Sequence, residues 1–182
     1  MFQSARSKII MAILTTCLGV GEVSAQAVLQ SYNSVSDSRL INPEDRNWLS
    51  YRGTLDGWGF SKLDQINDGN ISELEPVWSF STGVLGGHES PPIVNDGVMF
   101  VTTPGNFLYA IEAATGDLLW RYQHNLPESY IAFHRTNRGV ALYGDKVYMA
   151  TLDARVVALD AATGEKVWDT PVQDNSFGYY IT

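Results

Sequence analysis

One 24-residue stretch occurs twice in this chain, as GVMFVTTPGNFLYAIEAATGDLLW at residues 97–120 and as DKVYMATLDARVVALDAATGEKVW at residues 145–168. The copies align without a gap, and each position recurs 48 residues later, Trp120 as Trp168 for example. Similarity at a fixed period of this length is typical of an array of one supersecondary unit. Because the unit consists of short strands separated by turns, the sequence predicts an all-β fold, a β-propeller with one blade per repeat.

Each copy, taken with the residues just before it, contains four strand-length apolar segments separated by turn residues such as Asn95-Asp96-Gly97. Four strands at this spacing predict one four-stranded antiparallel blade. The propeller domain is predicted over residues 47–182, with repeats at about 91–122 and 139–170 and a third blade beginning near 178–182. The predicted strands are 92–94, 98–103, 107–113 and 117–122, followed by 139–142, 146–151, 156–161 and 166–170.

Trp120 and Trp168 end their repeats on the outer strand, where one large flat side chain per blade can cover the neighbouring blade. Val77–Phe80, with Trp78, is predicted to form a further strand. Two blades and part of a third cannot close a ring, and an open propeller leaves strand edges unpaired. We therefore expect this chain to be the N-terminal piece of a longer protein, truncated after two to three blades.

Residues 1–25 have the pattern of a secretory signal peptide. Arg6 and Lys8 precede an apolar run, and Val23-Ser24-Ala25 supplies small residues before a cleavage point. The alternative is a membrane anchor, but the run is shorter than the ~20 residues that span a bilayer. The signal predicts a periplasmic protein. The next segment, 26–46, is polar and without pattern, so we expect a flexible mature N-terminus there.

The composition excludes several classes of function. The formal net charge is −8, which disfavours binding to nucleic acid. The only cysteine, Cys17, lies in the predicted signal, so the mature chain has no disulfide. The scattered histidines and acids show no metal-ligand spacing, and no Ser/His/Asp grouping indicates a nucleophile.

The repeats carry the motif Ala-x-Asp-x-x-Thr-Gly-x-x-x-Trp, which residues 158–168 match completely and residues 110–120 match except at Glu112. With the segments 63–67, 77–83, 88–92 and 137–142, the chain resembles the methanol/ethanol branch of the pyrroloquinoline quinone (PQQ)-dependent alcohol dehydrogenases from about Trp48 onward. The resemblance implies an eight-bladed ring that holds PQQ and Ca²⁺ on its axis.

The resemblance also implies three cofactor-binding residues. Glu89 matches a carboxylate that faces the polar edge of the quinone, and Arg138 matches an arginine that hydrogen-bonds the quinone oxygens. Thr182 matches a threonine whose hydroxyl contacts a cofactor carboxylate. The family's calcium ligands and its proton-abstracting Asp would lie beyond residue 182, so no catalytic or metal-binding residue is assigned in this chain.

One departure concerns Ala132 and Phe133, which stand where many relatives have two adjacent cysteines in a disulfide that covers one face of PQQ. The sequence has no such pair here. We hypothesise that Phe133 covers the quinone face instead.

The resemblance implies that the full-length protein oxidises a small alcohol to the aldehyde by hydride transfer to PQQ, with Ca²⁺. A cytochrome c or a quinone would accept the electrons, and peripheral membrane association is a further expectation. The isolated fragment is expected to be inactive. Two alternatives are a cofactor-free scaffold, like the lipoprotein of the outer-membrane barrel-assembly machinery, and an inactive remnant.

Overall fold

The computed structural model, which describes residues 27–182, contains two antiparallel sheets of four strands each. In both sheets the strands follow one another in chain order. The first sheet contains β1 (Ile93–Asn95), β2 (Val98–Thr103), β3 (Phe107–Glu112) and β4 (Leu118–Gln123), and the second contains β5 (Val140–Tyr143), β6 (Lys146–Ala150), β7 (Arg155–Asp160) and β8 (Lys166–Pro171).

The described helical segments are short. Residues 27–30 are helical, α1 spans Asp37–Ile41, and two 3-10 turns cover Ile71–Glu73 and Asn175–Phe177. The predicted signal peptide, residues 1–25, lies outside the described residues. Each sheet has the strands and the order of one propeller blade, so the predicted fold class is confirmed, and the observed strand ends lie within one or two residues of the predicted ends.

The two blades share their irregularities as well as their strands. The register between β3 and β4 shifts at Ala110/Ile111, and the register between β7 and β8 shifts at Ala158/Leu159, which is the same position of the repeat. Such a bulge bends the strand and increases its twist. Ala110 and Ala158 are both fully buried, as expected for small residues at a point of close strand packing.

Trp120 joins the first blade to the second. Its indole Nε1 donates a hydrogen bond to the backbone oxygen of Ala161 at 3.0 Å, and its ring covers Gly164. A Cβ atom on Gly164 would lie 2.6 Å from the ring, and the residue has a φ of 73°, which glycine adopts without strain. The tryptophan of one blade thus packs on the Thr-Gly turn of the blade that follows it.

Trp78 makes the same contact one step earlier. Its Nε1 donates to the oxygen of Ala113 at 3.1 Å, and a Cβ on Gly116 would lie 2.7 Å from its ring. Residues 77–80 do not form the predicted strand, because no neighbouring described segment pairs with them. Trp78 therefore makes the contact of an outer-strand tryptophan, although the described residues around it form no blade.

The third tryptophan of the series, Trp168, has its own blade but no following turn to cover in the described part of the chain. Tyr148 packs beside it with ring centres 5.8 Å apart, as Phe100 packs beside Trp120 at 5.8 Å. Trp168 is 41% exposed, whereas Trp120 is buried.

The segment before the blades is packed against both of them. Val35 is 1% exposed and pairs with Gly144 in the β5–β6 turn, and Trp48 pairs with Val94 on β1. Partly buried apolar side chains of the segment, including Tyr32 and Leu40, lie on the core. This packing differs from the flexible N-terminus expected for residues 26–46, because a few well-placed apolar residues anchor a segment that has no periodic pattern.

A polar cluster fixes the same segment to the β1–β2 turn. The buried carboxylate of Asp96 forms ion pairs with Arg39 at 3.3 Å and with Arg46 at 3.0 Å. Burial raises the pKa of Asp96, but hydrogen bonds from Arg46, Asn33 and Asn47 outweigh burial, and the net pKa is lowered. Charged groups buried in this way are stable only when paired, so the cluster holds the N-terminal segment in one place.

We expect Gly164→Ala to weaken the junction between the blades. Alanine at a left-handed position costs roughly 1–2 kcal/mol, and the clash with Trp120 adds about 1–3 kcal/mol more. Gly144→Ala is the matched control, because Gly144 also has a positive φ (60°) but nothing lies within 4 Å of its Cβ position. The measurement is the urea unfolding midpoint of the full-length protein. Equal losses in the two variants would contradict the clash.

Glu44, which forms an ion pair with Arg39 of the polar cluster at 2.9 Å, predicts a loss of stability at low pH. Hydrogen bonds from Arg39 and Asn47 lower the pKa of Glu44 from 4.5 to about 2. Stability from this group is complete above pH 4.5 and is lost as the pH falls toward 2. Glu44→Gln should therefore reduce the fall in the urea midpoint between pH 5 and pH 2.5. Asp37→Asn, which removes a carboxylate that makes no ion pair among residues 27–182, should leave that fall unchanged.

Candidate functional site

The three residues that the family resemblance singled out lie together. Arg138 Nε donates a hydrogen bond to Glu89 Oε2 at 3.1 Å, and Arg138 Nη1 donates to Thr182 Oγ1. These residues are far apart in sequence, so the grouping is made by the fold. The guanidinium side chain is 51% exposed and the carboxylate side chain 48% exposed. Both groups are thus accessible to a ligand from solvent.

The segments that lead into the blades position the site. Glu89 lies four residues before β1, the first strand of one blade, and Arg138 lies two residues before β5, the first strand of the next. Thr182 follows the 3-10 turn after the second blade. Because neighbouring blades are held side by side by Trp120, the segments that lead into their first strands also lie side by side.

Thr102 on β2 anchors the chain next to both charged residues. Its backbone N–H donates to Ser90 Oγ at 3.1 Å, and its hydroxyl donates to the backbone oxygen of Asn137 at 3.4 Å. Ser90 adjoins Glu89 and Asn137 adjoins Arg138. One fully buried threonine therefore sets the distance between the two segments that carry the ion pair.

Asn137 is a second anchor, and its side chain is 1% exposed. Its Oδ1 accepts a hydrogen bond from Gly139 N at 3.1 Å, and its Nδ2 donates to Ala150 O at 2.8 Å and to Asn106 Oδ1 at 3.2 Å. Both the oxygen and the nitrogen of the Asn137 side-chain amide thus form hydrogen bonds, in the interior between two blades. Asn106, in the β2–β3 turn, is also buried, with a φ of 61°.

Asn175 fixes the loop that contains Ala132 and Phe133. Its Oδ1 accepts from Ile131 N at 2.7 Å, and its Nδ2 lies 2.8 Å from Ile131 O and 2.6 Å from Tyr179 O. The loop is thereby tied to the segment that ends in Thr182. Phe133 itself is 84% exposed and packs edge-on against His134, with ring centres 4.7 Å apart.

A cavity of about 540 Å³ opens beside Glu89. Its lining includes the loop 83–87, Phe107 and residues 134–136. Phe133 is not part of its lining, so its proposed position over a cofactor remains a hypothesis. A larger cavity, of about 720 Å³, lies between the 3-10 turn at 175–177 and the loop 127–131, and none of the three predicted residues lines it.

In residues 27–182, no three His, Cys, Asp or Glu side chains are grouped so that they could hold a metal ion. None of the helices in this range has the length and the apolar composition needed to cross a bilayer.

Sequence reasoning missed the three anchors Thr102, Asn137 and Asn175. Thr102 belongs to an ordinary strand pattern, and Asn175 follows no motif. Asn137 adjoins Arg138, and this adjacency was the only signal that could have indicated it. Side-chain amides and hydroxyls that bond distant backbone groups leave no periodic trace in a sequence.

Comparison with protein families gives a match over residues 48–178 to the PQQ model described as the glucose/ethanol/alcohol dehydrogenase β-propeller domain. A quinoprotein ethanol dehydrogenase of Pseudomonas putida is 42% identical over 140 residues, which are 75% of this chain and 22% of that protein. A quinoprotein ethanol dehydrogenase of Pseudomonas aeruginosa is 45% identical over 126 residues, which are 68% of this chain and 20% of that protein.

Solved structures give the same result. The structure of quinohemoprotein alcohol dehydrogenase ADHIIG from Pseudomonas putida HK5 matches with a TM-score of 0.72 and 37% identity, over 78% of this chain and 22% of the other. A europium-containing methanol dehydrogenase matches with a TM-score of 0.69 and 33% identity, over 75% of this chain and 25% of the other.

This chain thus spans about a fifth of the length of the quinoprotein ethanol dehydrogenases it matches. The family match covers well over half of the chain and includes both blades. The chain belongs to the PQQ β-propeller family of glucose, ethanol and alcohol dehydrogenases.

Proposed function

We propose that the full-length protein is a PQQ-dependent alcohol dehydrogenase and that Glu89, Arg138 and Thr182 form one part of its cofactor site. The observation that carries this proposal is the hydrogen-bonded grouping of the three residues, with the arginine and the glutamate half exposed. The names of the relatives support the activity, since the matched proteins from two Pseudomonas species are quinoprotein ethanol dehydrogenases.

The residues present fit PQQ, which is a planar molecule with three carboxylates and two adjacent quinone oxygens. The guanidinium of Arg138 offers five N–H donors in a planar arrangement. The Thr182 hydroxyl can donate to a carboxylate. When bound, PQQ supplies a two-electron acceptor for the oxidation of an alcohol.

Arg138 has the main role among the residues of this chain. Its free N–H groups would donate to the quinone oxygens, and its positive charge would stabilise the negative charge that reduction builds on them. Glu89 holds Arg138 through the 3.1 Å contact at Nε, and Thr182 accepts from Nη1, which leaves both N–H groups of Nη2 and the second N–H of Nη1 for the ligand. An exposed pair of this kind adds only ~0–1 kcal/mol to stability, so its role is to orient the arginine.

Several finer features belong to the same proposal. The substrate is a small alcohol that is oxidised to the aldehyde by hydride transfer, and Ca²⁺ is bound by residues beyond 182. The electrons pass to a cytochrome c or a quinone, with peripheral association at the membrane. Periplasmic location is supported by Arg6 and Lys8 before the apolar run of residues 9–20.

The test is to titrate the purified full-length protein with PQQ in the presence of Ca²⁺ or of a lanthanide ion, and then to add ethanol and an artificial electron acceptor dye. We expect uptake of PQQ and reduction of the dye. A protein that takes up no PQQ under either condition would instead support a cofactor-free scaffold.

Arg138→Lys should weaken PQQ binding about 10- to 100-fold, because lysine keeps the charge but lacks the planar set of donors. The measurement is the PQQ dissociation constant from equilibrium dialysis. Arg121→Lys is the control, since Arg121 is exposed on the outer strand β4. This variant should bind PQQ with the affinity of the wild-type protein. Unchanged affinity in Arg138→Lys would remove Arg138 from the cofactor site.

Asn137→Asp should both destabilise the protein and weaken PQQ binding. The substitution replaces Nδ2, so the oxygen atoms of Ala150 and Asn106 lose their donor in a buried place, at a cost of about 1–3 kcal/mol. The neighbouring Arg138 is then no longer held in position. Asn67→Asp is a matched control, because exposed Asn67 accepts from Gly69 N as Asn137 accepts from Gly139 N.

The urea midpoint and the PQQ dissociation constant are measured for both asparagine variants at a temperature where both are folded. If Asn137→Asp lowers the midpoint but leaves PQQ affinity unchanged, Asn137 stabilises the fold and has no part in positioning Arg138.

A further inference from the structure

The cavity beside Glu89 contains an arginine that the proposed function does not use. Seven of the ten arginine and lysine side chains in residues 27–182 form ion pairs with carboxylates. Arg135 is one of the three that do not, and it lines this cavity. An arginine without a carboxylate partner is notable in a chain with a net charge of −8.

The backbone of Arg135 is held in place while its charged end remains available. Its carbonyl oxygen accepts a hydrogen bond from Gly105 N at 3.0 Å, which fixes the residue to the β2–β3 turn. A Cβ on Gly105 would lie 3.5 Å from Arg135 Nη2 and 3.5 Å from the Phe107 ring. The guanidinium therefore lies over the glycine, beside an aromatic ring, with no hydrogen-bond acceptor from the described residues.

The balance of charge in the cavity favours an anion. The Glu89 carboxylate is already paired with Arg138 at 3.1 Å, so it does not neutralise Arg135. His134 also lines the cavity. The loop 83–87, which also lines the cavity, contains three glycines and leaves space, since no atom lies within 4 Å of the Cβ positions of Gly83 and Gly87.

We propose that Arg135 binds a carboxylate in this cavity. A guanidinium offers two parallel N–H donors that match the two oxygens of a carboxylate, and such charged pairs are stronger than neutral hydrogen bonds. The inference rests on the proposed function, because two sources of carboxylate then reach the cavity. One is a carboxylate of PQQ, and the other is the carboxylate of a hydroxy acid that enters as the alcohol substrate.

The experiment compares Arg135→Gln and Arg135→Lys with the wild-type full-length protein. Arg121→Gln is the control, because Arg121 also lacks a carboxylate partner among the described residues but lies on β4, outside the cavity. Equilibrium dialysis with Ca²⁺ present gives the dissociation constants of PQQ and of 4-hydroxybutanoate. Turnover of 4-hydroxybutanoate is then compared with turnover of 1-butanol, which lacks the carboxylate, at saturating PQQ.

If the carboxylate belongs to PQQ, Arg135→Gln weakens PQQ binding about 10-fold or more, and Arg135→Lys weakens it less. If it belongs to the substrate, PQQ binding is unchanged, while the affinity and kcat/KM for 4-hydroxybutanoate fall about 10-fold or more and 1-butanol is unaffected. Changes within twofold for both ligands would overturn the inference.

The two proposals fail in different ways. A wild-type protein that takes up no PQQ contradicts the proposed function, whatever the variants do. In that case, binding of 4-hydroxybutanoate that depends on Arg135 still supports the carboxylate site, and binding that does not depend on Arg135, or no binding, overturns it.

Discussion

The docking of a tryptophan from one blade onto the Thr-Gly turn of the next is the contact on which the rest of the structure depends. It combines three requirements in one place: a glycine with positive φ, a flat ring above it, and an indole N–H that satisfies a turn carbonyl, that of Ala161. A buried carbonyl without a partner would be costly. Because all three requirements must be met together, neighbouring blades can be set side by side in only one way.

That spacing in turn determines the candidate site. Glu89 and Arg138 belong to different blades, and their ion pair forms only because the segments before β1 and β5 run next to each other. Thr102 connects these two segments directly, because its N–H donates to the segment before β1 and its hydroxyl donates to the segment before β5. The contact of Trp120 at the blade junction and the hydrogen bonds of Thr102 thus act together to bring Glu89 next to Arg138.

Much of the fold could be predicted from the sequence because its signals are local. Turns such as Asn95-Asp96-Gly97 and the alternation of apolar residues mark the strands, and the 48-residue period marks the blades. The packing of the N-terminal segment could not be predicted in this way, since it depends on single residues such as Val35 and on the ion pairs of Asp96.

The site was only partly predictable, and for a different reason. Glu89, Arg138 and Thr182 were identified by resemblance to a family, because nothing in their spacing brings them together. The side chains that support them, Thr102, Asn137 and Asn175, act through hydrogen bonds to distant backbone atoms. Such bonds follow from the tertiary arrangement and have no local pattern, so only the structure reveals them.

The duplicated stretch covers only half of its own period, and this has a consequence for how such a protein can change. Residues 97–120 and 145–168 hold both the tryptophan and the glycine of the junction between the two blades, whereas Glu89, Arg138 and Thr182 all fall in the connecting segments outside the copies. Mutation can therefore alter the connectors that carry the candidate site of one blade independently of the shared architecture. A lineage built on this plan can diversify its chemistry while every blade retains the same means of assembly.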